Sequence, residues 1–279
     1  MKYSLTLIVF TILLNFSYGQ RTQELVKKID SLFLEDASQE AFDLAYELVQ
    51  NGNEDPLILH RLGMLYIEFP INQPQKALTH LQRAQSLTTD DSLRNGIHLD
   101  IAQVYYSMMK YDDALEKLEI LLDQEYYRAS ALTISMSIFS DQGQYEKAIE
   151  IAREALALEP YLLPTIVNTG FLFLNLEQPD SALAYFERAD ELKPNDPVII
   201  NNIGFAYYKK GNLSKSLDLI NESISIYPTN SYAYRNRAYV LTELDKIDEA
   251  CNDINKAIEL DYLNRYGDDI LELKNSNCK

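Results

Sequence analysis

The run from Pro197 to Asn230, PVIINNIGFAYYKKGNLSKSLDLINESISIYPTN, sets a unit of 34 residues that the chain repeats. Its first half places Ile200, Ile203, Gly204 and Tyr207 at i, i+3, i+4 and i+7, which is one face of a helix and not the alternation of a strand. Gly211 and Asn212 break that period. A second helical run carries Leu217, Ile220 and Ile224, with the small residues Ser216 and Ser223 on the same side. Pro228, which has no N–H to continue the ladder, ends it. Two short helices bury too little apolar surface to stand alone, so this hairpin requires neighbours over its open face.

Those neighbours lie 34 residues away in both directions. Upstream, Ile166, Gly170, Phe173, Ala182, Phe186, Ala189 and Pro194 fall in register with Ile200, Gly204, Tyr207, Ser216, Ile220, Ser223 and Pro228. A further step gives Leu132, Met136, Phe139, Ala148, Ala152, Ala155 and Pro160, and another gives His98, Ile101, Ala102, Tyr105, Ala114, Leu118 and Leu121. Downstream the same spacing gives Tyr234, Ala238, Leu241, Ala250, Ile254 and Ala257. The run Ile166, Thr169, Gly170, Phe173, Ala182, Phe186, Pro194 resembles the tetratricopeptide repeat, whose signature is W-x2-L-G-x2-Y, then A-x3-F, then P.

The resemblance implies an all-α fold: a right-handed α-solenoid of about seven tetratricopeptide repeat (TPR) helical hairpins with a C-terminal capping helix. The repeats fall near 22–55, 56–91, 95–128, 129–162, 163–196, 197–230 and 231–264, with the capping helix and tail in 265–279. Small residues are expected where the two helices of a hairpin cross, Gly204 against Ser216 and Gly170 against Ala182. The first repeat is degenerate, with Ile29 at the small position. Phe69 to Pro74 lengthens the second turn by two residues, and Asp90 to Arg94 reads as a longer joint, the one place where the array could bend or divide.

Residues 1–19 read as a secretory signal peptide, with Lys2 first, an apolar stretch from Leu5 to Leu14, and Ser17, Tyr18 and Gly19 before a cut at Gln20. The apolar stretch is shorter than the ~20 residues that a membrane span needs, and no later stretch is apolar enough to cross a bilayer. Export to the periplasm or the exterior is therefore expected. A net charge of −17, from 42 acidic and 25 basic residues, argues against nucleic acid and anionic membrane surfaces, since both need a basic footprint. Cys251 and Cys278 are an even pair in a chain expected to reach an oxidising compartment; either they bridge the tail to the last repeat or they are two unpaired thiols.

Catalytic chemistry finds no foothold in the sequence. Phosphate-cradling loops, a G-x-S-x-G elbow, H-E-x-x-H and C-x-x-C are all missing. His60, His80 and His98 fall on three different helices without the i, i+4 pairing of a metal site, and His98 takes a large packing position. The acidic pairs Asp112–Asp113 and Asp268–Asp269 sit where helices begin, which the macrodipole explains. No enzyme, cofactor or metal is expected.

What remains is surface. A residue midway between Ile200 and Gly204 points away from the hairpin partner, and that residue is Asn202; its equivalents are Asn168 and Asn236. Three residues on come Phe171, Phe205 and Tyr239, and Arg235 lies alongside. In tetratricopeptide proteins this stripe lines the concave groove, so the resemblance implies a ladder of carboxamides, each donor and acceptor at once, holding the backbone of an extended peptide. The alternative is that the asparagines only bond neighbouring helices. A carboxylate clamp is not evident, since Arg235 is alone. Two functions follow: a non-catalytic protein–protein interaction scaffold of the bacterial envelope, or a glycan-binding or enzyme-accessory protein, because aromatics and asparagines also suit sugar rings. A peptide partner predicts binding along three repeats and a sugar predicts a local patch.

The leader makes one outcome checkable at once. Mass spectrometry of the native protein is expected to find a chain beginning near Gln20 and no peptide spanning Tyr18 to Arg21. An intact N-terminus in the cytoplasm would overturn export.

Overall fold

The computed structural model describes residues 21–278 except residues 36 and 69–71. The expected leader and the first half of the expected loop at Phe69 to Pro74 therefore lie outside the described residues. Every regular element among the described residues is helical. The helices come in consecutive pairs: α1 (residues 21–34) with α2 (Ser38–Gln50), α3 (Pro56–Leu65) with α4 (Pro74–Leu87), and α5 (Asp91–Ser107) with α6 (Tyr111–Glu119). Next come α7 (Glu125–Asp141) and α8 (Tyr145–Leu158), α9 (Leu163–Asn175) with α10 (Pro179–Leu192), α11 (Pro197–Lys209) with α12 (Leu213–Ile226), and α13 (Ser231–Glu243) with α14 (Ile247–Glu259). Two short helices follow, α15 (Tyr262–Tyr266) and α16 (Asp269–Asn277).

The chain divides into two compact units, one ending at Ile138 and the other beginning at Phe139. In the first, Ile29, Leu62, Leu81, Ile97 and Ile101 share one buried cluster, while Ala114, Leu118, Leu121 and Ile138 belong to another. In the second, Ile166 packs with Ala189 and Ile199, Ile220 with Ala233 and Val240, and Ile254 with Tyr262 and Ile270. Each cluster draws on adjacent helices, so the core is distributed from hairpin to hairpin.

Local chemistry starts and stops the helices. Asp55, Asp90, Asp196 and Asn230 are N-caps whose side chains accept backbone N–H bonds from the first turn. Pro56, Pro74, Pro179 and Pro197 open their helices, where the missing N–H costs nothing. Within the hairpins the turn contains a left-handed residue, and these residues (Met109, Gly143, Glu177, Gly211 and Asp245) recur every 34 positions. Only two of the five are glycine, so the other three accept the strain of a side chain at positive φ.

The hairpin crossing is tight, but its contact lies one turn later than the sequence suggests. A Cβ on Gly204 would lie 2.8 Å from Ile220 Cγ1 and 3.3 Å from the Ser216 carbonyl oxygen, and one on Gly170 would lie 2.5 Å from Phe186. The expected partners, Ser216 and Ala182, are fully buried, yet a helical side chain leans over the turn on its N-terminal side, so Ile220 and Phe186 cover the glycine. In the second hairpin a Cβ on Gly63 would meet Leu81 at 2.7 Å. That partner is two positions later than the other crossings would give, in step with the longer turn. Ile29, at the small position of the first repeat, is 1% exposed.

One expectation is corrected. Asp90 to Arg94 is not a loose joint: the Asp90 carboxylate accepts the Ser92 N–H at 2.8 Å and the Leu93 N–H at 3.1 Å, and Arg94 donates to the Thr88 carbonyl at 2.8 Å. These bonds make the segment the first turn of α5, and the division between units falls within α7 instead. His98 packs at the boundary: it is half-buried with both ring nitrogens 3.2 Å from Gln85 Nε2, while Ile97 beside it is fully buried. Burial, then Lys117 and Arg94, hold its pKa below the ordinary histidine value. His60 pairs with Asp100 at 2.5 Å and Arg61 with Asp30 at 2.6 Å, so polar contacts join the first helices of three hairpins.

Gly204→Leu is expected to destabilise the protein by roughly 1–3 kcal/mol or more, because the branched chain must displace Ile220 and the Ser216 backbone. The melting temperature should fall, and hydrogen exchange should quicken in α11 and α12. An unchanged melt would mean that the crossing can yield without cost.

Candidate functional site

Asn168, Asn202 and Asn236 lie on α9, α11 and α13, each on the first helix of its hairpin, but they do not share one environment. Asn236 is fully buried; its Nδ2 donates to Asn201 Oδ1 at 3.2 Å while its Oδ1 accepts from Arg235 Nη1 at 2.9 Å. Both halves of that amide are committed within the fold. Asn202 is 2% exposed and makes no hydrogen bond to any described residue, and Asn168 is half-buried and likewise unbonded.

Arg235 explains the difference. Its guanidinium lies 4.5 Å from the Tyr239 ring centre and 5.3 Å from those of Phe205 and Tyr232, a stacked and mostly desolvated position. Its Nε donates to Asp269 Oδ2 at 3.0 Å, Nη2 reaches the same oxygen, and Tyr262 donates its hydroxyl to Asp269 Oδ1 at 2.9 Å. Arg235 is thus held by α16 of its own chain, and the expectation that it lies open beside a partner is corrected. The aromatic residues also pack internally. Phe171 meets Phe186 edge-on at 5.2 Å, Phe205 stacks on Tyr208 at 5.6 Å, and Tyr239 lies 6.1 Å from Tyr208.

Beside Asn202 the surface is concave. An open cleft of about 410 Å³ is bounded by Phe171, Val198, Asn201, Asn202, Tyr232 and Tyr266. Asn201 is fully buried, and because its Oδ1 accepts from Asn236, its Nδ2 is left without an acceptor. The sequence pattern passes over Asn201 and the tail residue Tyr266. The available signal was that Asp269 stands 34 residues after Arg235, so the tail continues the repeat's phase. Cys251 and Cys278 are disulfide-bonded, with Cα atoms 5.7 Å apart, which fastens the end of α16 to α14.

Among the described residues no group of histidine, cysteine and acidic side chains could hold a metal ion, and no helix is long and apolar enough to cross a membrane. The fold and the cleft define a helical-hairpin repeat protein with an amide-lined surface. More specifically, residues 99–162, 164–196 and 219–252 each match the tetratricopeptide repeat, so the chain carries tetratricopeptide repeats. It is similar to the crystal structure of a tetratricopeptide repeat protein from Parabacteroides merdae at 18% identity, with 94% of this chain and 100% of that one aligned and a TM-score of 0.69. The Cut9–Hcn1 hetero-tetramer structure aligns over 90% of this chain and 48% of that one at 14% identity, also with a TM-score of 0.69. The C-terminal part of a TPR repeat-containing protein from Cytophaga hutchinsonii aligns over 89% and 98% at 15% identity, with a TM-score of 0.53. These likenesses establish the fold. No curated protein matches the sequence.

The tyrosines around Arg235 give a pH signature. Burial raises the pKa of Tyr262, Tyr232 and Tyr239 above the ordinary phenol value, with Arg235 opposing it in each case. A raised folded-state pKa contributes stability that is complete below the unfolded value of about 10 and is lost as pH rises through the folded value. Stability is therefore expected to decline from about pH 10 upward, and Tyr262→Phe should make the decline shallower. Denaturant unfolding at pH 8 and pH 11 checks this, and an equal loss in both proteins would remove Tyr262 from the account.

Proposed function

We propose that this chain is a non-catalytic protein–protein interaction scaffold, exported to the bacterial envelope, that holds an extended segment of a partner protein along the first helices of its second unit. The observation that carries the reading is that Asn168 and Asn202, 34 residues apart on equivalent helices, keep unbonded amides while Asn236 does not. A carboxamide supplies a donor and an acceptor together and so suits a peptide unit whatever side chain that unit bears. Tetratricopeptide repeats supply the rigid stacked helices on which such groups keep their spacing. The leader-like start of the sequence supports export, and the excess of acidic residues supports a protein partner over nucleic acid.

The three asparagines should separate by variant. Asn236→Ala is expected to lower the melting temperature, since it strips Arg235 and Asn201 of a bonded partner. The Asn168→Ala, Asn202→Ala double variant should melt like the parent and bind its partner, recovered by crosslinking from the envelope fraction, about 5- to 150-fold more weakly. Undiminished affinity in the double variant would defeat the proposal.

A further inference from the structure

The cleft between α9, α11, α13 and α15 contains more than a partner's backbone requires. Asn202 is 98% buried with an unpartnered amide on the cleft wall, and beside it Asn201 holds a fully buried Nδ2 that has no acceptor. An amide without a partner on the wall of a cleft is unsatisfied within the fold, and Asn202 points to a ligand that brings its own acceptor and donor. Phe171, Val198, Tyr232 and Tyr266 give it apolar walls, Thr229 and Ser231 add neutral polar groups, and no acidic or basic side chain of a described residue lines the cavity. Burial raises the pKa of Tyr232, so that wall stays neutral at ordinary pH. An ion entering this cleft would give up hydration with no charge of opposite sign among the described lining residues to receive it.

We propose that this cleft is a specificity pocket that takes one uncharged apolar residue of the bound segment, with the side chain against Phe171, Val198 and Tyr266 and the residue's own peptide group on Asn202. This rests on the peptide reading above and adds a selection rule to it: an aromatic or branched aliphatic residue is admitted, an acidic or basic one is refused. Tyr266 comes from α15, so the segment after the last hairpin is part of the binding site as well as a cover for the core.

The probe is a capped single residue, which has an apolar side chain and two neutral amides. In an NMR titration of the full chain, N-acetyl-phenylalanine amide is expected to bind with a Kd of about 1 mM and to shift the Asn202 side-chain amide signals. N-acetyl-aspartate amide should bind at least about tenfold more weakly, and methyl glucoside should leave those signals in place. Val198 is 47% exposed, so Val198→Asp should keep the parent melting temperature and weaken the phenylalanine probe by about tenfold or more. Shifts caused by the glucoside alone, equal binding of the two capped residues, or no binding of either would each overturn the pocket. If the pocket fails while the asparagine double variant still loses its crosslinked partner, the peptide reading survives without this selection rule.

Discussion

Three of the hairpins are held at a point where one helix presents no side chain. At Gly63, Gly170 and Gly204 the space that a Cβ would fill is occupied by Leu81, Phe186 or Ile220, and the backbones can approach only because that atom is missing. The rest of the architecture follows from that approach. Helices drawn close on one side splay their larger residues to the other, where they pack on the next pair, as Ile166 does with Ile199 and Ile220 with Ala233 and Val240. No hairpin owns a complete core, so each is stable only beside another. Ser216 shows how strict the size limit is: it fits at full burial, and its hydroxyl is left without an acceptor.

The same economy of space decides which surface groups are free to act. Arg235 sits among three aromatic rings and takes Asp269 and Asn236 as partners, Asn236 then turns its donor to Asn201, and the chain of bonds ends at an Asn201 donor with no acceptor. One arginine therefore settles the direction of two amides beyond it, and the orphaned donor falls at the cleft where the Asn202 amide is also unbonded. The electrostatics of the C-terminal end and the chemistry of the candidate site are one network, with α16 as its anchor.

Much of this was legible in the sequence because the packing positions are the period itself. Ile166, Gly170, Ala182 and Phe186 name the helices, the crossing and the covered face, since apolar spacing and small residues act through excluded volume, which is local and additive. The phase of the asparagines was equally plain. What could not be read is which amides are already bonded, because Asn168, Asn202 and Asn236 are the same residue at the same phase and differ only in a partner delivered by Arg235 and Asp269 from the tail. The left-handed turns were half visible for a related reason: Gly143 and Gly211 announce them, whereas Met109, Glu177 and Asp245 adopt the same backbone under constraint from flanking helices. Asp90 to Arg94 misled because a capped first turn and a loop share the same polar composition.

The turn that recurs at Met109, Gly143, Glu177, Gly211 and Asp245 has a consequence for how such a chain diversifies. Its geometry is imposed by the helices on either side, so the residue there can change without altering the hairpin, and the demanding positions reduce to a few per unit. A copied hairpin inherits its shape complete, and its outward residues are then released to vary independently of their counterparts. One repeat position shows the result within this single molecule: Val167 borders the cleft with a hydrocarbon, Asn201 with an amide, and Arg235 leaves it to bind the chain's own last helix.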